Sequence, residues 1–163
     1  MHQGRPASPA RRLAVAVLPV AAAGLAGSLV TRPAIPTWYA GLAKPGFTPP
    51  NWLFAPVWTL LYILMAYAVW RILSLPRDVP GRSGAIASFF VQLGLNALWS
   101  FAFFGLRSPP AGFLAILVLI AAIAWTIRAF RPLDRTAAVL LLPYGAWVVY
   151  AAALNGAVWR LNG

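Results

Sequence analysis

Residues 54–75 read FAPVWTLLYILMAYAVWRILSL. Apart from Arg71 near its end, this stretch carries no charge. A helix needs roughly 20 mostly apolar residues to cross the hydrocarbon layer of a bilayer. The stretch has that length and that composition, so it reads as a transmembrane helix. Four more runs of the same kind lie around it: Leu13 to Val30, Ala85 to Leu106, Pro109 to Ile127, and Thr136 to Trp159. A membrane barrel would show roughly 10-residue segments of alternating polarity instead. The expected fold is therefore an all-α integral membrane protein, one bundle of five transmembrane helices over residues 1–163.

Breakers separate the runs. Pro33, Pro36, Pro45, Pro49 and Pro50 fill the first gap, Pro76, Pro80 and Gly81 the second, Gly105, Pro109 and Pro110 the third, and Pro132 the fourth. The first gap, about residues 31–53, is the only long one. It holds Trp38, Tyr39, Phe47 and Trp52 among its prolines. Long ordered loops are more often functional than accidental, and proline lowers the entropy lost in holding one shape. We expect this loop to cap one end of the bundle as a lid. A disordered loop is the alternative, but disorder goes with few aromatics. Pro143 is expected to break or kink the start of the fifth helix, widening the bundle beneath the lid.

Composition narrows the function classes. Hydrophobic residues make up 61% of the chain and charged residues 9%, whereas a soluble domain carries about a quarter charged. Asp78 and Asp134 are the only acids, so a water-soluble enzyme and a disordered chain are both excluded. There is no cysteine, and the one histidine is His2, which leaves no disulfide, thiolate chemistry or His/Cys metal cluster. The net charge of +11 comes from Arg and Lys scattered between apolar runs. A nucleic-acid binder gathers them on a soluble face, so no nucleic-acid partner is expected.

Those basic residues instead set orientation. Arg5, Arg11, Arg12, Arg71, Arg77, Arg82, Arg128, Arg131 and Arg135 fall on one side, and Arg32, Lys44, Arg107 and Arg160 on the other. The bias predicts a cytoplasmic N-terminus, with the C-terminus and the lid outside. The first run, preceded by Arg11-Arg12, could alternatively be a secretory signal, but it is longer than a usual signal core and no soluble domain follows. Within it, Ala23/Gly27 and Gly24/Ser28 are small-x-x-x-small pairs that let a neighbouring helix approach.

Polar groups inside a spanning helix are costly and mark sites. Gln92, Asn96, Trp99 and Phe103 share one face of the third helix, with Ser100 beside Asn96. Trp58, Tyr62 and Met65 share a face of the second. Tyr144, Trp147, Ala151 and Asn155 share a face of the fifth. If these faces converge they line an apolar pocket with a few polar groups, the usual form of a small-molecule site. Flat aromatic walls suit a flat, apolar, polycyclic ligand. Taken singly, each residue has a plainer role: Trp and Tyr favour membrane interfaces, and Gln and Asn join helices. Paired carboxylates, a Ser/His/Asp set and a phosphate-cradling glycine loop are all missing. No acid lies within a spanning run, which argues against proton coupling through a buried carboxylate.

The residues also resemble a known family. Trp38-Tyr39-Ala40-Gly41-Leu42-Ala43-Lys44-Pro45, Pro49-Pro50, Trp52, Pro56-Val57-Trp58 and Leu61-Tyr62 resemble the translocator protein family, TspO/MBR, also called tryptophan-rich sensory protein or peripheral benzodiazepine receptor. Gln92-Leu93, Leu95-Asn96, Trp99, Phe103-Phe104-Gly105, Pro143-Tyr144, Trp147, Leu154-Asn155 and Trp159-Arg160 continue the likeness in order to the end of the chain.

The resemblance implies a five-helix homodimer in a lipid bilayer, with a loop-capped pocket for porphyrins such as protoporphyrin IX, for sterols, or for isoquinoline carboxamide drugs. It implies no required cofactor and no metal. It places Tyr39, Pro49, Trp58, Asn96, Trp99, Ser100, Trp147 and Ala151 at the ligand. Trp58 and Trp147 match tryptophans linked to light-dependent porphyrin breakdown in bacterial relatives, the one catalytic role the likeness carries. Receptor or sensor is the primary reading, with tetrapyrrole transport or porphyrin degradation as alternatives. The mammalian cholesterol motif needs a Tyr that Leu154 to Arg160 lack. The implied setting is thus a bacterial cell membrane and a tetrapyrrole-related role.

Overall fold

The computed structural model describes residues 8–163; His2 and Arg5 lie outside the described residues. Among the described residues the chain is helical, without strands. Helix α1 spans Pro9–Ala34, α2 Asn51–Ser74, α3 Arg82–Ser100, α4 Pro109–Phe130, α5 Arg135–Leu140 and α6 Leu142–Asn162. Five stretches are long and apolar enough to span a bilayer, the fifth formed by α5 and α6 together. Large apolar side chains point outward all round, among them Leu29 at 69% and Trp125 at 69% exposure. In water that surface would aggregate; in lipid it is the contact surface.

The helices outrun the hydropathy runs because polar first turns sit in the headgroup region at little cost. α1 starts at Pro9, four residues before the apolar run, capped by Ser8, whose Oγ accepts from the Arg11 N–H at 3.3 Å. Pro33 does not stop α1: the turn continues to Ala34, and the Ile35 N–H donates to the Thr31 carbonyl at 3.1 Å. Gly81, at φ 82°, makes the left-handed turn into α3 that a side chain would strain. Arg82 then reaches back, donating to the Ile72 and Leu73 carbonyls at 3.2 and 2.9 Å. It thus satisfies the Leu73 carbonyl that the end of α2 leaves free, and adds a second bond to the Ile72 carbonyl, which also accepts from the Leu75 N–H at 3.2 Å.

Two interruptions shape the bundle. After Ser100 the third span relaxes into a wide π turn over Phe101–Gly105, closed by the Leu106 N–H on the Phe101 carbonyl at 2.8 Å. Such turns inside α-helices often accompany functional sites. The fifth span breaks at Leu141, because Pro143 has no N–H to carry the ladder through. The expected widening beneath the lid is corrected here. α6 meets the lid at Asn162 and, through the Tyr150 hydroxyl, at Phe47, whereas Pro143 stands at the other end of α6, about 28 Å from Asn162 and about 10 Å from Tyr150 along the helix at 1.5 Å per residue. The opposite end is instead pinned. Arg71 Nε donates to Asp134 Oδ2 at 2.8 Å, and Asp134 Oδ1 caps α5 through the Ala137 N–H at 3.0 Å.

Around the bundle α1 neighbours α2 and α3, α3 neighbours α4, α4 packs on α6, and α5 closes on α2. Met65, Phe89, Ile116, Phe130 and Tyr144 fill the core. Gly112 lets α4 meet α3 and α6, since a Cβ there would lie 2.8 Å from Asn155 Oδ1 and from Phe103. Lid residues Trp38 and Tyr39 form a second apolar cluster with Phe103, Leu154 and Val158.

Candidate functional site: an aromatic cavity under the lid

A cavity of about 350 Å³ lies at the lid end, between α1, α2, the end of α3 and α6. That is within the range for small-molecule pockets. Trp58 and Trp99 form its aromatic centre, ring centroids 6.1 Å apart and tilted by 30°. Tyr62 lies 5.6 Å from Trp58, and Phe103 stacks on Trp99 at 6.4 Å. The wide turn after Ser100 sets both Phe103 and Phe104 against the lid, where Trp38 and Tyr39 meet them edge-on or tilted at 5.4 to 6.5 Å.

Polar groups are few and placed. Trp99 Nε1 donates to Asn155 Oδ1 at 3.4 Å, and Asn155 Nδ2 donates to the Pro109 carbonyl at 2.8 Å. Ser100 faces α1, where a Cβ on Gly27 would lie 3.3 Å from its Oγ. Beneath the cavity Tyr62 OH donates to Asn96 Oδ1 at 2.9 Å, and Asn96 Nδ2 donates to the Tyr144 oxygen at 3.2 Å. This triad ties α2, α3 and α6 together as a floor.

The lid is fastened on the α6 side. The Ala43 N–H donates to Asn162 Oδ1 at 3.0 Å, Asn162 Nδ2 to the Ala43 carbonyl at 2.9 Å, and Tyr150 OH to the Phe47 carbonyl at 2.6 Å. Lys44 braces it internally, donating to the Ala40 and Leu42 carbonyls, with its ammonium 4.9 Å from the Tyr39 ring centre. Burial, and then the neighbouring Tyr150, push the Tyr39 hydroxyl above its ordinary pKa, so it faces the cavity neutral. Toward α1 and α2 the wall is unfastened. Arg32, Asn51, Ala55 and Thr59 line it and are exposed, so the cavity opens sideways between these helices.

Of the residues expected at a ligand, Tyr39, Trp58, Trp99, Ser100 and Ala151 line the cavity. Pro49, Asn96 and Trp147 do not. Asn96 is 1% exposed and is consumed by the two tyrosines of the floor. Trp147 packs behind the wall against Phe54 at 6.2 Å and Tyr150 at 5.4 Å. Pro49 sits half-buried in the lid. The α1 wall of Gly24, Gly27, Ser28 and Thr31 was not foreseen as part of a site. Its signal was the same spacing of small residues that reads as helix packing. Gly24 does serve that purpose, a Cβ there meeting the Tyr62 ring at 3.0 Å. Among the described residues no group of His, Cys, Asp and Glu is placed to hold a metal.

The TspO/MBR family model matches residues 15–160. The chain belongs to the TspO/MBR family. It is 46% identical over 154 residues to the tryptophan-rich protein TspO of Archaeoglobus fulgidus, covering 93% of this chain and 97% of that protein. It is 37% identical to protein CrtK of Rhodobacter capsulatus over 149 residues, 91% of each. With the human translocator protein it shares 38% identity over 131 residues, 77% of this chain and 75% of the other. This TspO/MBR chain is therefore an integral, multi-pass membrane protein, with its aromatic cavity at one end of the bundle.

Proposed function

We propose that the chain is a membrane receptor or sensor for porphyrin-type tetrapyrroles, protoporphyrin IX being the representative ligand. The observation that carries this reading is the Trp58–Trp99 pair at the centre of an apolar cavity under an aromatic lid. Two indoles tilted by 30° offer broad π faces to a flat ring system, while Ser100, Asn155 and Tyr39 supply few and fixed polar contacts. The macrocycle lies against the indole pair and extends into the side opening between α1 and α2. The test is a titration in lipid nanodiscs read on the Soret band. Native protein binds saturably, and Trp58→Leu weakens binding at least tenfold; equal affinity in the two would refute the assignment.

The side opening favours carriage of the ligand as a second reading. The cavity runs into an apolar groove along α1 and α2, through the shared residues Gly24, Thr59 and Tyr62. Flux of protoporphyrin IX into proteoliposomes above that of empty liposomes separates carriage from binding alone. The Arg and Lys bias supports a cytoplasmic N-terminus and an external lid in a bacterial cell membrane. A homodimer is supported by the exposed α3 face of Gly84, Ala87, Val91, Gly94 and Leu98. A Cβ on Gly94 meets nothing within the chain, so Gly94→Leu separates the subunits while leaving the fold intact.

A further inference from the structure

The cavity lining contains one charged side chain, Arg32. It stands in the last turn of α1 at the unfastened side of the wall, exposed, beside Thr31, with Ser28 one turn back. Its guanidinium makes no hydrogen bond or ion pair among the described residues, whereas Lys44, the other cation near the cavity, is spent on two lid carbonyls. No Asp or Glu can answer it. Asp134 is paired with Arg71 at the opposite end of the bundle, and Asp78 lies in the connection between α2 and α3 at that same end. The charge bias along the chain gives Arg32 no role either, because it belongs to the minority set on the lid side.

An apolar cavity with one unanswered guanidinium at its lateral mouth has the polarity of an anionic amphiphile: apolar body inside, acid group at the rim. We infer that Arg32 is the specificity-determining residue of the cavity and that it selects ligands carrying a carboxylate on a flat apolar body. The planar fork of arginine matches a carboxylate with two parallel N–H donors. Ser28, Thr31 and Asn51 add hydroxyl and amide groups around the same mouth. The side opening lets the body enter from the bilayer while the acid stays at headgroup depth beside Arg32. This inference rests on the reading of the cavity as a ligand site, and it adds what the ligand must carry.

The experiment compares protoporphyrin IX with its dimethyl ester, in native protein and in Arg32→Gln, in zwitterionic nanodiscs. Comparing the acid-to-ester affinity ratio between the two proteins cancels the different partition of acid and ester into lipid. We expect that ratio to fall about three- to tenfold in Arg32→Gln, the effect of losing a charge-assisted pair at a partly exposed site. Arg32→Lys keeps the charge without the fork and recovers part of the ratio. An unchanged ratio, or equal weakening of acid and ester, overturns the inference while leaving porphyrin binding standing. If neither porphyrin binds native protein, the tetrapyrrole reading falls. All-trans-retinoic acid and its methyl ester, run the same way, then decide the Arg32 reading separately, and failure of that pair overturns it too. Added phosphatidylglycerol distinguishes a lipid phosphate as the partner: persistence of the acid preference supports the inference, and its loss assigns Arg32 to the headgroup and overturns it.

Discussion

Replacing Asn96 by leucine removes the link that holds three helices beneath the cavity. Two hydrogen bonds are lost, Tyr62 OH to Asn96 Oδ1 at 2.9 Å and Asn96 Nδ2 to the Tyr144 oxygen at 3.2 Å. The losses are unequal. Tyr62 is half-buried and borders the cavity, so its hydroxyl can turn to another partner. Tyr144 is fully buried and cannot. An orphaned buried group costs about 1–3 kcal/mol and an ordinary bond about 1 kcal/mol, while interhelical bonds in membranes average about 0.6 kcal/mol. Together these give about 2 kcal/mol for Asn96→Leu. The assay is reversible unfolding in mixed micelles, followed by tryptophan fluorescence and far-UV circular dichroism. It is run on Asn96→Leu, on Tyr144→Phe, and on the pair. In the Tyr144→Phe background, Asn96→Leu should cost about 1 kcal/mol less, because the most expensive orphan is already gone. The reasoning fails if the cost is the same in both backgrounds, or if Asn96→Leu alone is neutral.

Two further outcomes follow from groups outside the cavity. Gln92 is 1% exposed, and neither its Oε1 nor its Nε2 finds a partner among the described residues. Gln92→Leu should therefore raise stability by about 1 kcal/mol in the same assay, whereas a loss of that size would show that the amide is paired. For Asp134, burial raises the carboxyl pKa, but the Ala137 N–H and the Arg71 guanidinium outweigh it and hold the group below the usual carboxylate range. A depressed folded value means that its stabilisation is complete above the unfolded carboxylate pKa and is lost as pH falls through the folded one. Native protein should exceed Asp134→Asn in stability near pH 7, and the gap should close in acid. A gap independent of pH would contradict the pairing.

The fold was legible because hydropathy over about 20 residues is a strong signal, and five runs stand out between proline-rich gaps. Helix ends were not: Ser8, Asn51 and Arg82 begin helices with polar turns that an apolar window discards. The π turn at Phe101–Gly105 left no sign in the periodicity. Within the site, periodicity grouped Trp99 with Phe103, and Trp58 with Tyr62, correctly onto common faces. It does not say which neighbour a face meets. Trp147 packs behind Phe54, and Asn96 lies in the floor beneath the cavity. The α1 wall was missed for a related reason. Glycine and serine admit a helix or a ligand equally well, and only the three-dimensional arrangement shows that Gly24 admits Tyr62 while Ser28 and Thr31 face empty space.

The central claim is that ligand occupies the space between Trp58, Trp99 and α6. Ala151 lines that space and is half-buried, so a larger side chain there fills it without cutting a hydrogen bond. The direct measurement is the affinity of Ala151→Phe for protoporphyrin IX in nanodiscs, with its melting temperature taken alongside. We predict binding at least tenfold weaker with melting unchanged or raised. Native affinity in a folded Ala151→Phe protein would contradict the claim.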